Sequence, residues 1–396
     1  MMIYLDNSAT TRPSEKAVAA MEQALTQCWG NPSSLHCAGL DAEHLLTAAR
    51  KQVLCAMGFA DAKPAQLVFT ASGTEADNMA LCGVAHAKQS RRGGRIIISD
   101  SEHPAVEQPA RQLEQEGFEV IRIPTVGGVF DMDCYRRVLS ESKKPFLVSC
   151  MLVNNETGAV NDIAAIGAAA RRENPDVVIH TDAVQGFLKL PRPLSATGAD
   201  LITVSAHKVH GPKGVGALYL SANVLKGKHL APVIFGGGQE QNFRSGTYNL
   251  PGIVGFSAAA AEGAEEMRQR LQTIVQLRRH FTQQLAATPA LHEIRINEPA
   301  NGQCAPHIIS ITLPYIKSNT ALNALSTRGI CVSAGSACAA NSGKVSHTLQ
   351  AFGLDRDQAD STLRISLTHE NTEEELDTLL DALASMLQTL VRFRSK

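Results

Sequence analysis

Short apolar runs alternate with amphipathic stretches between about residues 63 and 220 of the chain. The runs have the length of strands. Several of the stretches between them, such as 105–115 and 163–172, repeat their apolar residues at helical spacing. This alternation predicts a mostly parallel sheet with helices on both faces. The strand candidates lie at residues 67–69, 95–98, 118–121, 146–149, 177–179, 201–204 and 216–220.

The pattern changes at about Pro251. A long tract rich in Ala, Glu, Arg and Gln predicts helix over 253–285, and strand candidates follow at 308–311 and 363–367. We therefore expect an α/β chain with two domains. The large domain covers residues 15–255, and a smaller α+β domain is made of 1–14 and 256–396.

A terminal helix is predicted from Thr372 to about Val391. Thr372 stands three residues before Glu375, which is the spacing of an N-cap residue and its capping-box partner. We therefore expect the helix to begin directly after Thr372.

Length and composition narrow the classes of protein. A chain of 396 residues is long enough for two domains. Its 37 basic and 38 acidic residues give no electrostatic reason to expect nucleic acid or a membrane as a partner. No apolar run approaches the roughly 18 residues of a membrane span, and the first residues do not resemble a signal peptide.

The nine cysteines are scattered, without C-x-x-C spacing or Cys/His clusters. This pattern argues against a metal site and against a disulfide framework, and it predicts a cytoplasmic protein whose thiols are mostly buried.

Two polar runs at strand ends carry the strongest signal. Residues 181–185 (TDAVQ) follow one apolar run, and residues 205–208 (SAHK) follow another. In parallel sheets, ligands bind at the carboxyl ends of strands. The two runs supply an acid, an amide, a hydroxyl, an imidazole and an amine, which is the set of groups that a pyridoxal phosphate (PLP) site needs.

Each group in these runs has an ordinary alternative. Lys208 is the candidate amine for the covalent link to the cofactor, because it precedes a glycine-rich segment over 210–216; a solvated surface lysine is the alternative. Asp182 is the candidate partner of the pyridine nitrogen, and a helix N-cap is its alternative. Gln185, three residues later, suits a contact with the ring oxygen.

Three further elements fit the same site. The strand exit at Ser72, Gly73 and Thr74 predicts a phosphate cradle at a helix N-terminus, although ordinary capping chemistry looks alike. His103 follows a strand and could lie over a ring and shuttle protons, or be a structural histidine. Asn154 offers amide contacts, or is simply part of a turn.

The last candidates lie farther along the chain. The glycine-rich element that ends in Thr247 is equipped for an anion and could reach a neighbouring subunit, or be a connector. Arg364, within an apolar strand, suits a substrate carboxylate or a structural ion pair. Cys338 lies in a loop of small residues at about 333–345, where a thiol is better explained as a nucleophile than as core.

Together these motifs resemble the group I cysteine desulfurases of the NifS/IscS type, within the class V aminotransferase group of PLP enzymes. The resemblance runs almost from end to end. It includes residues 4–11, 30–34, 74–78, 102–103, 154–156, 182–185, 205–208, 244–247, 335–338 and 364–366. It implies PLP-dependent fold type I and an enzyme that converts L-cysteine to L-alanine while a thiol takes the sulfur.

The resemblance also implies a role for each matching residue. Lys208 would carry the cofactor and remove the α-proton, His103 would stack on the ring as acid/base, and Asp182 and Gln185 would contact the ring. Cys338 would attack the substrate sulfur and become a persulfide. The phosphate would be held by Gly73, Thr74, Ser205 and His207, with Thr247 from the partner of a homodimer, and the substrate carboxylate by Asn154 and Arg364.

Other activities remain open. Selenocysteine lyase would need the same residues, a class V transaminase would not need Cys338, and a non-enzymatic sulfur-trafficking partner would need none of them. The chain departs from the usual family pattern at Ala339-Ala340, where hydroxyl residues are common, and at Thr368-His369, which replaces the usual glycine-containing segment. These departures leave the sulfur acceptor open among an iron–sulfur scaffold, a tRNA or DNA thiolation system and selenium metabolism.

Overall fold

The computed structural model describes residues 2–88, 93–335 and 346–390. The helices of these segments are α1 Glu15–Thr26, α2 Cys37–Ala56, α3 Gly73–Ala87, α4 Pro104–Gln115, α5 Met132–Ser140, α6 Ile163–Glu173, α7 Ala222–Lys226, α8 Leu250–Glu265, α9 Met267–Ala287, α10 Ser318–Ser326, α11 His347–Phe352, α12 Arg356–Asp360 and α13 Glu373–Leu390. The strands are β1 Ile3–Tyr4, β2 Leu67–Thr70, β3 Arg95–Ser99, β4 Glu119–Ile123, β5 Thr125–Val126, β6 Val129–Phe130, β7 Pro145–Ser149, β8 Val178–Asp182, β9 Leu201–Ser205, β10 Gly216–Leu220, β11 Arg295–Ile296, β12 Ile308–Thr312, β13 Ile330–Cys331 and β14 Thr362–Ser366.

A seven-stranded sheet forms the centre of the larger part of the molecule. Its strand order is β2-β10-β9-β8-β7-β3-β4. The pairs among β9, β8, β7, β3 and β4 are parallel, and β10 is antiparallel to both of its neighbours. The predicted α/β fold with a mostly parallel sheet is confirmed.

Alternate strand residues supply two apolar cores, one on each face of this sheet. In β3, Ile97 belongs to one core while Ile96 and Ile98 belong to the other. All three are fully buried, which is why the strand reads as a continuous apolar run rather than an alternating one.

A third core lies around the three-stranded antiparallel sheet β11-β12-β14. It takes Leu5 from the amino-terminal segment, and β1 pairs with β13 in parallel. The amino terminus therefore packs with the last third of the chain. The domain boundaries stay a prediction; the position between 255 and 256 falls inside α8, whose Ala260 packs in the first core.

The carboxyl-terminal helices differ from the prediction in one respect. The tract over 253–285 is two helices, α8 and α9, because Glu266 between them leaves the helical conformation. The terminal helix begins as predicted, since the Thr372 hydroxyl accepts from Glu375 N–H and the Glu375 carboxylate accepts from Thr372 N–H, both at 3.3 Å. No helix in the described segments combines the length and apolar character that a membrane crossing requires.

Candidate active site

A cavity of about 270 Å³, here called the front cavity, opens where the central strands end. It collects side chains from the ends of β8 and β9, from the loop after β3 and from the start of α3, as expected for the carboxyl edge of a parallel sheet. The predicted site residues that line it are Gly73, Thr74, His103, Asp182, Gln185, Ser205, His207, Lys208 and Arg364.

Lys208 lies in a single 3-10 turn, Ala206–Lys208, directly after β9. Its amine donates to the carbonyl oxygens of Ser8 at 2.6 Å and Ala9 at 2.7 Å. The amino-terminal segment therefore forms one wall beside this amine. No role was predicted for Ser8 and Ala9, because each contributes only a backbone carbonyl oxygen.

Asp182 is the last residue of β8 and is buried. Its Oδ1 accepts from Val184 N–H at 2.9 Å in the turn that follows β8. No helix begins there, so the N-cap alternative is wrong. Burial raises the pKa of Asp182, while the neighbouring His103 and Lys208 oppose that rise. A buried carboxylate held in this way favours a cation beside it.

Gln185 spans the gap between β8 and the amino-terminal segment. Its Nε2 donates to Ser8 O at 2.8 Å, and its Oε1 accepts from the Lys189 amine at 3.0 Å. The side chain is therefore fixed at the cavity wall.

His103 is the N-cap of α4. Its Nδ1 accepts from Ala105 N–H at 3.1 Å, so the proton of the neutral ring is on Nε2. Burial lowers the pKa of His103, with Asp182 opposing and Lys208 adding to the effect. A neutral imidazole with a defined Nε2–H is thereby presented to the cavity.

The start of α3 forms the floor of the cavity. The Ser72 hydroxyl accepts from Glu75 N–H at 3.1 Å, and the first-turn amides of Gly73 and Thr74 have no acceptor within the helix by position. A Cβ on Gly73 would lie 3.0 Å from Val184 Cγ2. Backbone N–H groups and the helix dipole suit an anion here.

Two side chains face this floor from β9 and the turn after it. The Ser205 hydroxyl is buried and has no hydrogen-bond partner in the described segments. Burial, followed by the charges of Lys208 and two other lysines, lowers the pKa of His207 to about 4. Ser205 is an orphaned donor that a ligand oxygen would satisfy.

Arg364 projects from β14 into the front cavity. One guanidinium nitrogen pairs with Asp6 Oδ1 at 2.9 Å and another donates to Asn155 O at 2.8 Å. Its Nε is buried without a partner among the residues described. Arg364 therefore forms the structural ion pair that was its alternative role, and it also lines the cavity wall.

Two of the described site candidates, Asn154 and Thr247, do not line the front cavity. The Asn154 carbonyl oxygen accepts from Glu156 N–H and Thr157 N–H, both at 3.0 Å, so this side chain builds a turn, and its neighbour Asn155 lines the cavity. Thr247 is exposed. Cys338 lies outside the described residues. The roles of these three residues stay predictions.

Two buried acids near the cavity were missed by sequence analysis. Asp77, one turn into α3, lines the cavity, and burial next to Asp182 raises its pKa well above the usual range. Burial also raises the pKa of Glu102 to about 8, although its carboxyl accepts from Ser99 and from Met151 N–H. Asp77 comes three residues after Thr74 and four after Gly73. Residues at these spacings share a helix face, so the sequence could have placed Asp77 in the site.

Comparisons with known proteins agree with this geometry. The family model described as aminotransferase class-V matches residues 3–379. The chain belongs to this family. The family consists of PLP-dependent enzymes.

Individual relatives extend the match over nearly the whole chain. A protein of Dictyoglomus turgidum called cysteine desulfurase IscS is 36% identical over 389 residues, which cover 98% of this chain and 95% of that protein. A solved structure titled NifS-like protein superposes with a TM-score of 0.88 at 34% identity, covering 98% and 100% of the two chains. Another, titled SspA in complex with cysteine, has a TM-score of 0.75 at 30% identity and covers 93% and 99%.

The residues present fit PLP. An anion cradle with an orphaned hydroxyl, a buried carboxylate and an amine lie around one cavity, and they match the phosphate, the ring nitrogen and the aldehyde of that cofactor. The fit rests on the donor set and on the helix N-terminus at Gly73, which lines the cavity.

Proposed function

We propose that this chain is a PLP-dependent cysteine desulfurase, which converts L-cysteine to L-alanine and keeps the sulfur as a Cys338 persulfide. One observation carries the proposal: Lys208, Asp182, His103 and the amino end of α3 surround a single cavity, in a chain that matches cysteine desulfurases over 98% of its length.

Each wall of the front cavity suits one part of the cofactor. The α3 amides with Thr74, Ser205 and His207 would hold the phosphate. Asp182 would pair with the ring nitrogen, and Gln185 would meet the ring oxygen. His103 would lie against the ring. When bound, PLP acts as an electron sink for a substrate amino acid.

Lys208 is the proposed base. Its Nζ would take the α-proton of cysteine, and the Ser8 and Ala9 carbonyl oxygens that accept from this amine keep it pointed into the cavity. His103 would be a further proton donor or acceptor beside Lys208. It would act through Nε2, since its Nδ1 already accepts from Ala105 N–H. A positioned acid or base of this kind contributes about 10²–10⁴-fold to a rate.

Arg364 would bind the substrate carboxylate. Its buried Nε is the donor without a partner among the described residues, and its other two nitrogens are held by Asp6 and Asn155. Asn154 was predicted to share this role; its hydrogen bonds support an indirect part, in which it shapes the turn that carries Asn155.

Cys338 would supply the sulfur nucleophile. Its thiolate attacks the sulfur of bound cysteine, the carbon–sulfur bond breaks, and the carbon gains a proton to give alanine. The sulfur stays on Cys338 as a persulfide for transfer to an acceptor protein. An iron–sulfur scaffold is one acceptor that fits; thiolation systems and selenium metabolism are the others.

We also propose a homodimer. Large apolar side chains are exposed on the segment between α1 and α2 and in the glycine-rich loop, with Trp29 76%, Leu35 92% and Phe235 79% exposed. Large apolar side chains that are exposed to this degree are typical of a protein interface. A partner chain there would bring its exposed Thr247 toward a second site. The cytoplasmic location stays a prediction from the cysteine spacing. The expectation of mostly buried thiols is wrong for the described residues, since of their eight cysteines only Cys150 is buried.

Mixing the purified, PLP-loaded protein with L-cysteine tests the activity. We expect equal amounts of alanine and sulfide in the presence of a thiol reductant, together with a change in the visible spectrum. Alanine without sulfur release would contradict the proposal. Parallel rates on L-selenocysteine separate a selenocysteine lyase, and full activity of Cys338→Ala would indicate a transaminase.

A further inference from the structure

A second cavity, here called the rear cavity, lies on the other side of Lys208. It has a volume of about 40 Å³ and is lined in part by Lys189, Lys208, His210, His307 and His369. A water molecule needs about 10–15 Å³ of such space, so the cavity has room for an inorganic ion but none for an organic metabolite.

All titratable side chains that the structure shows lining this cavity are basic. In addition to the two lysines and three histidines, Arg270 lines it, and none of the described lining residues is an aspartate or glutamate. Arg270 is neutralised on its outer side by Glu266 at 2.9 Å and Glu262 at 3.7 Å. Lys189 forms no ion pair within the part of the chain that the structure describes, and one of its three N–H groups donates to Gln185.

His307 provides an independent indication of a ligand. Its side chain is 2% exposed, and neither ring nitrogen has a hydrogen-bond partner among the described residues. An unpartnered buried imidazole is costly, and structures normally satisfy such groups with water or an ion. The donor set and the orphaned ring together match a small anion.

The rear cavity adjoins an exposed groove, through which an ion could enter. His210 and His369, whose ring centroids are 5.2 Å apart, line both the cavity and an exposed groove. His210 Nδ1 donates to Arg12 O at 3.0 Å, which leaves its Nε2 as the site for a further proton. Thr368-His369 is also where the chain departs from the usual family pattern.

We propose that the rear cavity binds a small monovalent inorganic anion of about the size of chloride, held by Lys189, His307 and His369 and adjacent to Lys208. This proposal does not depend on the proposed activity, because its tests measure anion binding and not catalysis. The charged and titratable groups around it are Lys189, Lys208, Arg270 and the three histidines. On the groove side they are joined by Arg12, Glu15, Glu22, Glu262, Glu266 and Glu370.

The free site would take up protons when the anion binds. Burial lowers the pKa of His210 and of His369 to about 4 each, and lowers the pKa of Lys189 and His307 well below their usual ranges. An anion favours the protonated form of each neighbour. Binding is therefore expected to be tighter at pH 6 than at pH 8.

Bromide is the probe for the first experiment. Crystals of the PLP-loaded protein grown in sodium bromide should show an anomalous peak in the rear cavity, in contact with Lys189 and His307. A cavity that holds only water in these crystals overturns the proposal.

A solution measurement uses chloride against gluconate, an anion too large for the cavity, at constant ionic strength. Chloride should raise the unfolding temperature of the wild type, more at pH 6 than at pH 8, because a ligand of the folded state stabilises it. The effect should be lost in Lys189→Met and His369→Phe. It should persist in Lys317→Met and His292→Phe, whose side chains are at the surface. An equal chloride effect in all five proteins overturns the proposal, and the crystal result stands if a variant fails to fold.

Discussion

The front and rear cavities meet at Lys208, but of the described lining residues only those of the front cavity include acids. The front cavity contains the buried acids Asp77 and Asp182, and burial raises the pKa of each. The rear cavity is lined by bases, and burial lowers the pKa of His210 and His369. Burial favours the neutral form of both kinds of group, and a neighbouring ligand of opposite charge favours the charged form again. In front, the cofactor's pyridinium beside Asp182 would have this effect, and behind, an anion beside the bases.

The largest effect is expected from the amine that the two cavities share. Lys208→Ala removes the proposed base and the attachment point of the cofactor, so desulfurase activity should fall by at least about 10²–10⁴-fold. Alanine formation measures it. Lys213→Ala, at an exposed lysine five residues later, is the matched control. Similar losses in both variants would mean that Lys208 has no special role.

Asp182→Asn tests the acidic side of the comparison. The amide keeps an oxygen for Val184 N–H, so PLP should still bind, but the ring nitrogen loses its anionic partner. We expect kcat to fall by about 10²-fold or more, while the affinity for PLP changes less, since the charge acts mainly on the reacting state. Asp162→Asn, at the N-cap of α6, is the control because asparagine caps as well as aspartate. Unchanged kcat in Asp182→Asn would refute the assignment.

Cys338→Ser separates sulfur transfer from the chemistry at the front cavity. The variant should bind cysteine and change the visible spectrum, yet form no persulfide detectable by alkylation and mass spectrometry, because serine cannot accept sulfur. Cys37→Ser removes an exposed thiol elsewhere and should keep full activity. Persulfide formation at the wild-type rate without Cys338 would overturn its role.

Arg364→Lys should have a moderate effect on substrate binding. Lysine keeps the charge but loses the planar fork and the buried Nε, so KM for cysteine should rise about 10-fold, corresponding to about 1.4 kcal/mol. Steady-state kinetics separate this from kcat. A purely structural ion pair with Asp6 predicts instead a lower unfolding temperature with KM unchanged.

The smallest effect is the opposite pH dependence of the two regions. Glu102, behind the front cavity, has its pKa raised to about 8, so its contribution to stability is lost as pH rises from about 4.5 through 8. His210 and His369 have theirs lowered to about 4, so their contribution is lost as pH falls from about 6.5 through 4. Glu102→Gln should flatten the alkaline side of a plot of unfolding temperature against pH and His369→Phe the acid side. A swap of the two sides would contradict the account.

Most residues of the front cavity could be predicted from the sequence because they directly follow strands. Asp182 and Lys208 each come directly after an apolar run, and parallel strands place such residues at one edge. The strand pattern does not predict which side chain of a turn faces the cavity. The structure places Asn155 on the cavity wall, whereas the neighbouring Asn154 was the predicted residue. The rear cavity escaped prediction since Lys189, His307 and His369 come from distant parts of the chain and meet only through tertiary packing.

The central claim is that Lys208 carries the cofactor between these two cavities. Reduction of the PLP-loaded protein with borohydride, followed by proteolysis and mass spectrometry, locates the attached pyridoxyl group. The account predicts modification at Lys208. Labelling of Lys189 or Lys213 instead, or no labelled lysine at all, would contradict it.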